Sequence, residues 1–365
     1  MRMKKIILIA AVAIAAAACS KTFDTNLATE KAIGFGTWAE NLTKARTQGT
    51  STFEAGDDFA VFGYKDKTTS APVTVFDNVP VTAAAGSGSA LEWSYASSTE
   101  PLRFWDKNYD FYKFYAVSPS GAATIAPQAG TIAATEKTFS GKNNDFLVAE
   151  QKKVEKGTDN FNNYHTVDLV FHHASSLVDV KVKKSSALKN NKVEITAFQL
   201  NNIAKKGTVA VLSYDANNVP VFTWIPTETG TYTTTDGVNK VDLDVEVVED
   251  NAFDSANTNP DKTPAAAAAA YLINNLVVMP QNIDAQNITL TYTIEGDSTN
   301  HEETLPFKNF DVIDNDNQND TKVGKWEAGK HYTFYITIDA HAIEFTASID
   351  SWDAVYVNGY HYILN

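Results

Sequence analysis

The feature that most constrains the fold of this chain is an alternation of apolar and polar side chains with a period of two residues. In residues 343–350, isoleucine, phenylalanine, alanine and isoleucine alternate with glutamate, threonine, serine and aspartate. Residues 178–183, 241–247 and 288–294 alternate in the same way. Because successive side chains of a β-strand point to opposite faces, these stretches predict strands with one apolar and one solvated face. Such strands are typical of antiparallel β-sandwiches.

Two stretches depart from this alternation. Residues 109–117, with the sequence YDFYKFYAV, are apolar on both faces and predict a strand in the middle of a sheet, within the core of the first half. Residues 263–275, with the sequence TPAAAAAAYLINN, combine a proline suited to a first helical position with an alanine run. This second stretch predicts a short helix on a mostly β protein, and the alternative is a crossover linker of small residues.

Length and charge limit the architecture and the partners. The chain has 365 residues, which is enough for two domains, and its polar segment 149–164 predicts a boundary near Gly157. It is 44% hydrophobic and 20% charged, a composition typical of a folded protein. The formal net charge of −14 repels phosphate backbones, so nucleic acid is not expected as a partner.

The N-terminus has the pattern of an export signal. Three basic residues, Arg2, Lys4 and Lys5, precede the apolar run 6–18, which is too short to span a bilayer as a mature helix. Small residues then lead directly into Cys19, which predicts a lipoprotein signal with cleavage before that cysteine and diacylation of its thiol. The alternative is an ordinary signal peptide. Since Cys19 is the only cysteine, no disulfide can form within the chain.

The sequence contains none of the common catalytic motifs. G-x-S-x-G, the P-loop and H-E-x-x-H are all absent. His172 and His173 are adjacent, so on a strand they would point to opposite faces and would not converge on one metal ion. Neither a catalytic residue nor a cofactor is therefore predicted.

Two further groups of side chains have a functional and a structural interpretation. An acidic loop could attract calcium, but it lacks the glycine and the final glutamate of an EF-hand, so a solvated loop is favoured. An aromatic cluster could stack on a sugar, although such clusters more often form core. The acidic residues are Asp314, Asp316 and Asp320, and the aromatic ones are Trp93, Tyr95, Phe104 and Trp105.

Several ordered stretches of this chain together resemble the fimbrillin family, the type V pilins and their relatives. The stretches are FEAGDDFAVFGY, WDKNYDFYKFYAVSP, DFLVAE, VFHHASSLVDVKV, LVVMPQ, WEAGKHYTFYITI and IEFTASIDSW. The resemblance covers essentially the whole chain after the leader. It implies an all-β fold with two transthyretin-like antiparallel β-sandwich domains in tandem. It also implies a lipoprotein precursor carried to the outer membrane and processed by an arginine-specific protease in an N-terminal loop.

The implied processing site is Arg46. After the leader this chain has only two arginines, and Arg46 lies in the polar linker TKARTQGT between a stretch with strand character and the first strand of the remaining body. Cleavage there would make Thr47 the new N-terminus and would remove a strand in which Ile33 and Phe35 face inward. The alternative is a solvated loop arginine. The predicted divisions are residues 1–18 (signal peptide), 19–46 (propeptide with the removable strand), 47–157 (N-terminal sandwich) and 158–365 (C-terminal sandwich).

Removal of that strand would leave an unpaired edge and an apolar groove, both of which favour addition of a strand from another subunit. The candidate donor is the tail 353–365, in which Gly359 interrupts the alternation. Alternatively, the tail is the last strand of its own domain. The side chains predicted to fill pockets of the groove are Val355, Val357, Tyr360, Tyr362 and Leu364.

The preferred hypothesis is a structural subunit of a cell-surface fimbrium without an active site, which polymerises with other fimbrial subunits by donor-strand exchange and contributes to adhesion. Its further partners would be the arginine-specific protease and, through the lipid on Cys19, the outer membrane before processing. An alternative hypothesis is a monomeric outer-membrane surface lipoprotein that binds a glycan or a host protein. A third, a surface hydrolase, depends only on the export signal and is ranked last.

Overall fold

The computed structural model describes residues 27–35, 53–85, 91–95, 100–131, 135–139, 145–162, 166–188, 190–233, 245–246, 270–312, 323–339, 343–351 and 355–357. Nearly all regular structure in these ranges is β-strand, as predicted. Their only helices are single turns of 3₁₀ type at Ser186–Leu188 and Phe307–Asn309.

The strands before Ser176 are short, with two exceptions of ten and sixteen residues. They are β1 (Leu27–Ala32), β2 (Gly34–Phe35), β3 (Asp58–Lys67), β4 (Ser70–Ala85), β5 (Leu91–Ser94), β6 (Phe104–Asp106), β7 (Phe111–Ser118), β8 (Thr135–Thr138), β9 (Leu147–Ala149), β10 (Lys152–Glu155), β11 (Thr166–Val167) and β12 (Leu169–His173).

The strands from Ser176 onward include the longest of the described chain, with 22 residues. They are β13 (Ser176–Lys184), β14 (Val193–Tyr214), β15 (Pro220–Thr233), β16 (Val245–Glu246), β17 (Ala270–Val278), β18 (Gln281–Asn282), β19 (Asn287–Ile294), β20 (His301–Pro306), β21 (Asp311–Val312), β22 (Lys325–Trp326), β23 (Lys330–Ile338), β24 (Ile343–Ser351) and β25 (Val355–Val357).

The first sheet has eight strands in the order β25-β12-β9-β7-β3-β4-β5, with β10 also paired to β7. Strand β7 lies near the middle and is buried on both faces, which confirms the prediction from residues 109–117. The face that carries Phe59, Val61 and Phe114 belongs to the first core, which also contains Ile33 and Phe35. This face positions the candidate site.

The opposite face of the first sheet packs against the hairpin formed by β14 and β15. Phe62 of β3 and Val117 of β7 share a buried cluster with Val209 of β14, and Trp224 of β15 packs against it. The indole Nε1 of Trp224 also donates to the carbonyl oxygen of Ala174 (2.6 Å). The long hairpin therefore joins the first sheet to the rest of the molecule.

The second core lies between two further sheets. One has the order β17-β13-β23-β24-β21, and the other has the order β15-β14-β19-β20 with β16 and β8 also paired to β14. Strand β19 alternates as predicted, since Ile288, Leu290 and Tyr292 are buried in this core. Two pairs within these two sheets, β13 with β23 and β21 with β24, run parallel, and the other strand pairs of the two sheets are antiparallel, as expected of an antiparallel sandwich.

The prediction of a solvated face for residues 178–183 is wrong. Strand β13 is buried on both faces, and Asp179 and Lys181 are only 4% and 5% exposed. Asp179 pairs with His331 of β23 (Oδ2 to Nε2, 3.0 Å). The ammonium of Lys181 lies over the ring of Tyr271 (4.5 Å to the centroid). These polar groups can be buried because neighbouring strands supply a hydrogen-bonding partner for Asp179 and an aromatic ring for Lys181.

The prediction of a helix is also wrong for residues 270–275. Residues 270–275 belong to β17, which pairs with β13, and residues 263–269 lie outside the described residues. Leu272 and Leu276 of this strand are 1% exposed in the second core. Sheet pairing and burial of these side chains outweigh the helical preference of the preceding alanines.

Strand pairing crosses the predicted boundary near Gly157 in both directions. Strand β8, before it, pairs with β14, whereas β12 and β25, after it, belong to the first sheet. Strand β10 lies inside the polar segment that suggested the boundary, and it pairs with β7. The division into two domains at that point remains a prediction.

Candidate functional site

The candidate site is the part of the first core that is filled by residues 27–35, near the N-terminus. Strand β1 pairs antiparallel with β6, from Leu27 opposite Asp106 to Ala32 opposite Phe104, with an irregular register between them. Strand β2 pairs parallel with β11 through Gly34 and Phe35. The segment therefore contacts two short strands and covers one face of the first sheet.

Two side chains of this segment point into the core. Ile33 is fully buried and Phe35 is 3% exposed, while Gly34 between them is half-buried. An extended backbone places residues two apart on the same side, so the sequence Ile-Gly-Phe directs both apolar side chains inward. Segment and core together form one continuous apolar cluster.

The ring of Phe35 lies among four other aromatic rings, which we call the four-ring cage. Its centroid is 5.4 Å from that of Phe76, 5.9 Å from Phe114, 6.0 Å from Tyr95 and 6.3 Å from Phe59. All four pairs are edge-to-face, the arrangement that brings the positive edge of one ring to the negative face of another. The cage therefore fits an aromatic side chain in both shape and charge distribution.

Both backbone polar groups of Ile33 are satisfied by two residues, which we call the Tyr95–Arg103 clamp. The N–H of Ile33 donates to the carbonyl oxygen of Arg103 (2.7 Å), and the hydroxyl of Tyr95 donates to the carbonyl oxygen of Ile33 (2.8 Å). The Tyr95 oxygen also accepts from the N–H of Arg103 (3.1 Å), which closes the ring of contacts. Backbone groups buried in this way need such partners.

The guanidinium of Arg103 is itself fixed. Its Nε donates to the carbonyl oxygen of Val75 (2.6 Å), and its Nη2 pairs with Glu100 Oε2 (2.9 Å). It also lies over the ring of Phe76, 4.9 Å from the centroid. The side chain thus holds the Arg103 backbone in position for Ile33.

Burial keeps the Tyr95 hydroxyl protonated. Removal from water raises the pKa of Tyr95, and the nearby N–H and guanidinium of Arg103 offset part of that increase. A tyrosine hydroxyl is already neutral at physiological pH, and the raised pKa of Tyr95 keeps it able to donate to the Ile33 carbonyl at higher pH as well.

The described part of the C-terminal tail lies at one edge of the same sheet. Strand β25 pairs antiparallel with β12 in three positions, Leu169 with Val357, Val170 with Tyr356 and Phe171 with Val355. This part of the tail therefore pairs with its own chain in the present structure. The remaining predicted positions, Cys19, Arg46, Thr47, Tyr360, Tyr362 and Leu364, lie outside the described residues.

The two adjacent histidines occupy different environments, as predicted. His173 is 1% exposed and its Nδ1 is 2.9 Å from Asp145 Oδ2, while the half-buried His172 pairs through Nε2 with Glu150 Oε1 (2.8 Å). Within the described part of the chain, no group of three or more His, Cys, Asp or Glu residues is placed to hold a metal ion. The acidic loop around Asp314 is outside that part.

The aromatic cluster considered as a sugar platform belongs to the first core. Trp105 is 1% exposed and stacks on Phe161, with 5.3 Å between centroids. Trp93 packs edge-to-face on Phe53 (5.2 Å). Tyr95 and Trp105 are buried and cannot stack on a glycan, while Trp93 and Phe104 are half-buried, so the structural interpretation is confirmed for the two buried members.

Sequence reasoning missed the roles of Tyr95 and Arg103. The available signal was weak: Arg103 is one of three arginines in a lysine-rich chain and lies among aromatic residues.

Among the described residues, no helix has the length and apolarity that crossing a membrane requires.

A family model described as fimbrillin-like matches residues 43–352. Similar crystal structures include a fimbrial protein from Bacteroides vulgatus ATCC 8482, with 17% identity, coverage of 81% of this chain and 93% of that chain, and a TM-score of 0.49. A protein assigned to cell adhesion from Bacteroides uniformis ATCC 8492 has 18% identity, coverage of 89% and 98%, and a TM-score of 0.48. A fimbrilin from Porphyromonas gingivalis W83 has 11% identity, coverage of 89% and 97%, and a TM-score of 0.37.

All three TM-scores lie below 0.5, so these structures decide nothing further about this chain, and the family match rests on the sequence. No curated protein matches the sequence significantly.

Proposed function

This chain belongs to the fimbrillin-like family, and we propose on that premise that it is a structural subunit of a cell-surface fimbrium. Membership of this family supports a location at the cell surface among other fimbrial subunits, without enzymatic activity.

The proposed route to the fimbrium begins with a lipoprotein precursor. The chain is exported, cleaved before Cys19 and lipidated there, and then cut after Arg46 by an arginine-specific protease. Thr47 becomes the N-terminus, and the residues before it are released. The observation that supports this route is the position of Ile33 and Phe35, which lie N-terminal to Arg46 and are buried in the first core.

Release of residues 27–35 would expose an apolar groove, which a strand from another subunit could fill. The cage would lose the ring of Phe35, and the clamp would lose the backbone of Ile33. Exposed apolar rings and unpaired backbone groups are both costly, so a strand from another subunit is stabilised there. We call the vacated surface the first-core groove.

The proposed donor is the tail 353–365 of a neighbouring subunit, with Val355, Val357, Tyr360, Tyr362 and Leu364 as the side chains that enter pockets. In the present structure β25 pairs with β12 of its own chain through only three residue pairs. Donation requires this short contact to open, which costs little compared with burial in an apolar groove.

The test is the assembly state of an Arg46→Ala variant in cells that process and display the wild-type protein. The variant should keep residues 19–46 and should not enter high-mass polymers, as measured by mass spectrometry and by size separation under mild conditions. Lys44→Ala, two residues away, is the matched control and should assemble normally. Polymers of Arg46→Ala in wild-type amounts would refute cleavage as the assembly step.

A further inference from the structure

The Tyr95–Arg103 clamp contacts the backbone of the segment in the first core, whereas the four-ring cage contacts a side chain. The clamp uses the N–H and the carbonyl oxygen of Ile33, which every residue except proline possesses. It therefore fixes the position of a strand without selecting its sequence. Selection comes from the side chains, because the core buries Ile33 completely and the cage encloses the ring of Phe35 two residues later.

Tyr95 couples these two parts. Its hydroxyl is the bridge between Ile33 and Arg103, and its ring is one wall of the cage, 6.0 Å from Phe35. The backbone contact and the aromatic contact share one side chain. If a strand shifts by one residue while the clamp holds its backbone, its aromatic side chain points away from the cage.

We propose that the Tyr95–Arg103 clamp sets the register of any strand in the first-core groove, so that the groove selects a large apolar residue at the clamp and an aromatic residue two positions later. The part of this inference that concerns an incoming strand rests on the proposed function. The chain's own segment satisfies the rule with Ile33 and Phe35.

The rule assigns a register to the donor. Between residues 353 and 365, a large apolar residue is followed two positions later by an aromatic one only at Tyr360 and Tyr362. In a polymer, the backbone of Tyr360 is therefore held by Arg103 and Tyr95 of the neighbouring subunit, and the ring of Tyr362 enters the cage. Tyr356, with only Ala354 two positions before it, does not fit the rule.

The clamp is tested in the precursor, before any cleavage. Tyr95→Phe keeps the ring and removes only the hydroxyl, and hydrogen exchange of residues 32–35 in the full-length chain should become roughly five- to tenfold faster. Tyr64→Phe is the matched control, because Tyr64 is also 7% exposed but belongs to the cluster on the opposite face of the first sheet. Wild-type exchange in Tyr95→Phe would overturn the clamp.

The donor register is tested by assembly of two tail variants. Tyr362→Ala should lower the yield of polymer by about tenfold or more, Tyr362→Phe should retain it, and Tyr356→Ala should assemble like the wild type. Equal effects of the two alanine variants would overturn the register. Absence of polymer in the wild type would refute the proposed function and this register together, while hydrogen exchange in the precursor would still decide the clamp.

Discussion

Replacement of Phe35 by alanine offers the sharpest test of the first core. The side chain is 3% exposed and makes edge-to-face contacts with four rings. Truncation of a buried phenylalanine costs about 3–5 kcal/mol through lost transfer energy and the cavity left behind. Because residues 27–35 pair with only two short strands, this segment can also detach, so the loss cannot exceed the free energy with which it docks.

This upper limit on the loss of unfolding free energy can also be measured. The Phe35→Ala chain should unfold at a urea concentration lower by about 1–2 M, for a slope of about 2–3 kcal/mol per M, when followed by tryptophan fluorescence. Addition of Ile33→Ala should lower stability further only until the value for a chain lacking residues 27–35 is reached. Phe35→Leu, which keeps most of the apolar volume, should lose only about 1 kcal/mol. A Phe35→Ala chain within about 0.5 kcal/mol of the wild type would refute the reasoning.

Three further predictions concern the same half of the molecule. An arginine-specific endoprotease should cut the precursor at Arg46 and spare Arg103, whose carbonyl oxygen and guanidinium are both engaged; an early cut after residue 103, seen by mass spectrometry, would contradict this. Burial raises the pKa of Tyr115 to about 12, so its contribution to the free energy of unfolding is full below about pH 10 and is lost as the pH rises toward 12. Urea titrations between pH 9 and 11 check this, and a pH-independent result would argue against a neutral buried hydroxyl. Gly63→Ala should destabilise the chain by about 1–3 kcal/mol in thermal unfolding, because a Cβ there would lie 2.7 Å from the carbonyl oxygen of Lys113; an unchanged melting temperature would contradict the close approach.

The pattern of apolar side chains predicts a strand of this fold well where one face of the strand is buried, or where both faces are buried and apolar. Alternation correctly predicted β19, and two-sided apolarity correctly predicted β7. The buried face of β13 was not predictable, because the partners of Asp179 and Lys181 come from strands far along the chain. The prediction of a helix failed at residues 270–275 for a similar reason, since pairing with β13 decides the structure there.

The candidate site, too, could be predicted from the sequence only in part. The inward direction of Ile33 and Phe35 follows from their spacing of two residues. The Tyr95–Arg103 clamp does not follow from any spacing, because both of its members also bind the backbone of Ile33, which lies far from both in the sequence. Such a contact becomes visible only when the backbone of three separate segments is placed together.

The position of β25 in the first sheet has a consequence for the order of folding. That sheet includes β3, which begins at Asp58, and it ends at its β12 edge with Val355–Val357, close to the C-terminus. Contacts between residues so distant in sequence form slowly, because a long loop must close before they stabilise anything. The β12 edge of the first sheet therefore stays open until residues 355–357 have been synthesised and can pair with it.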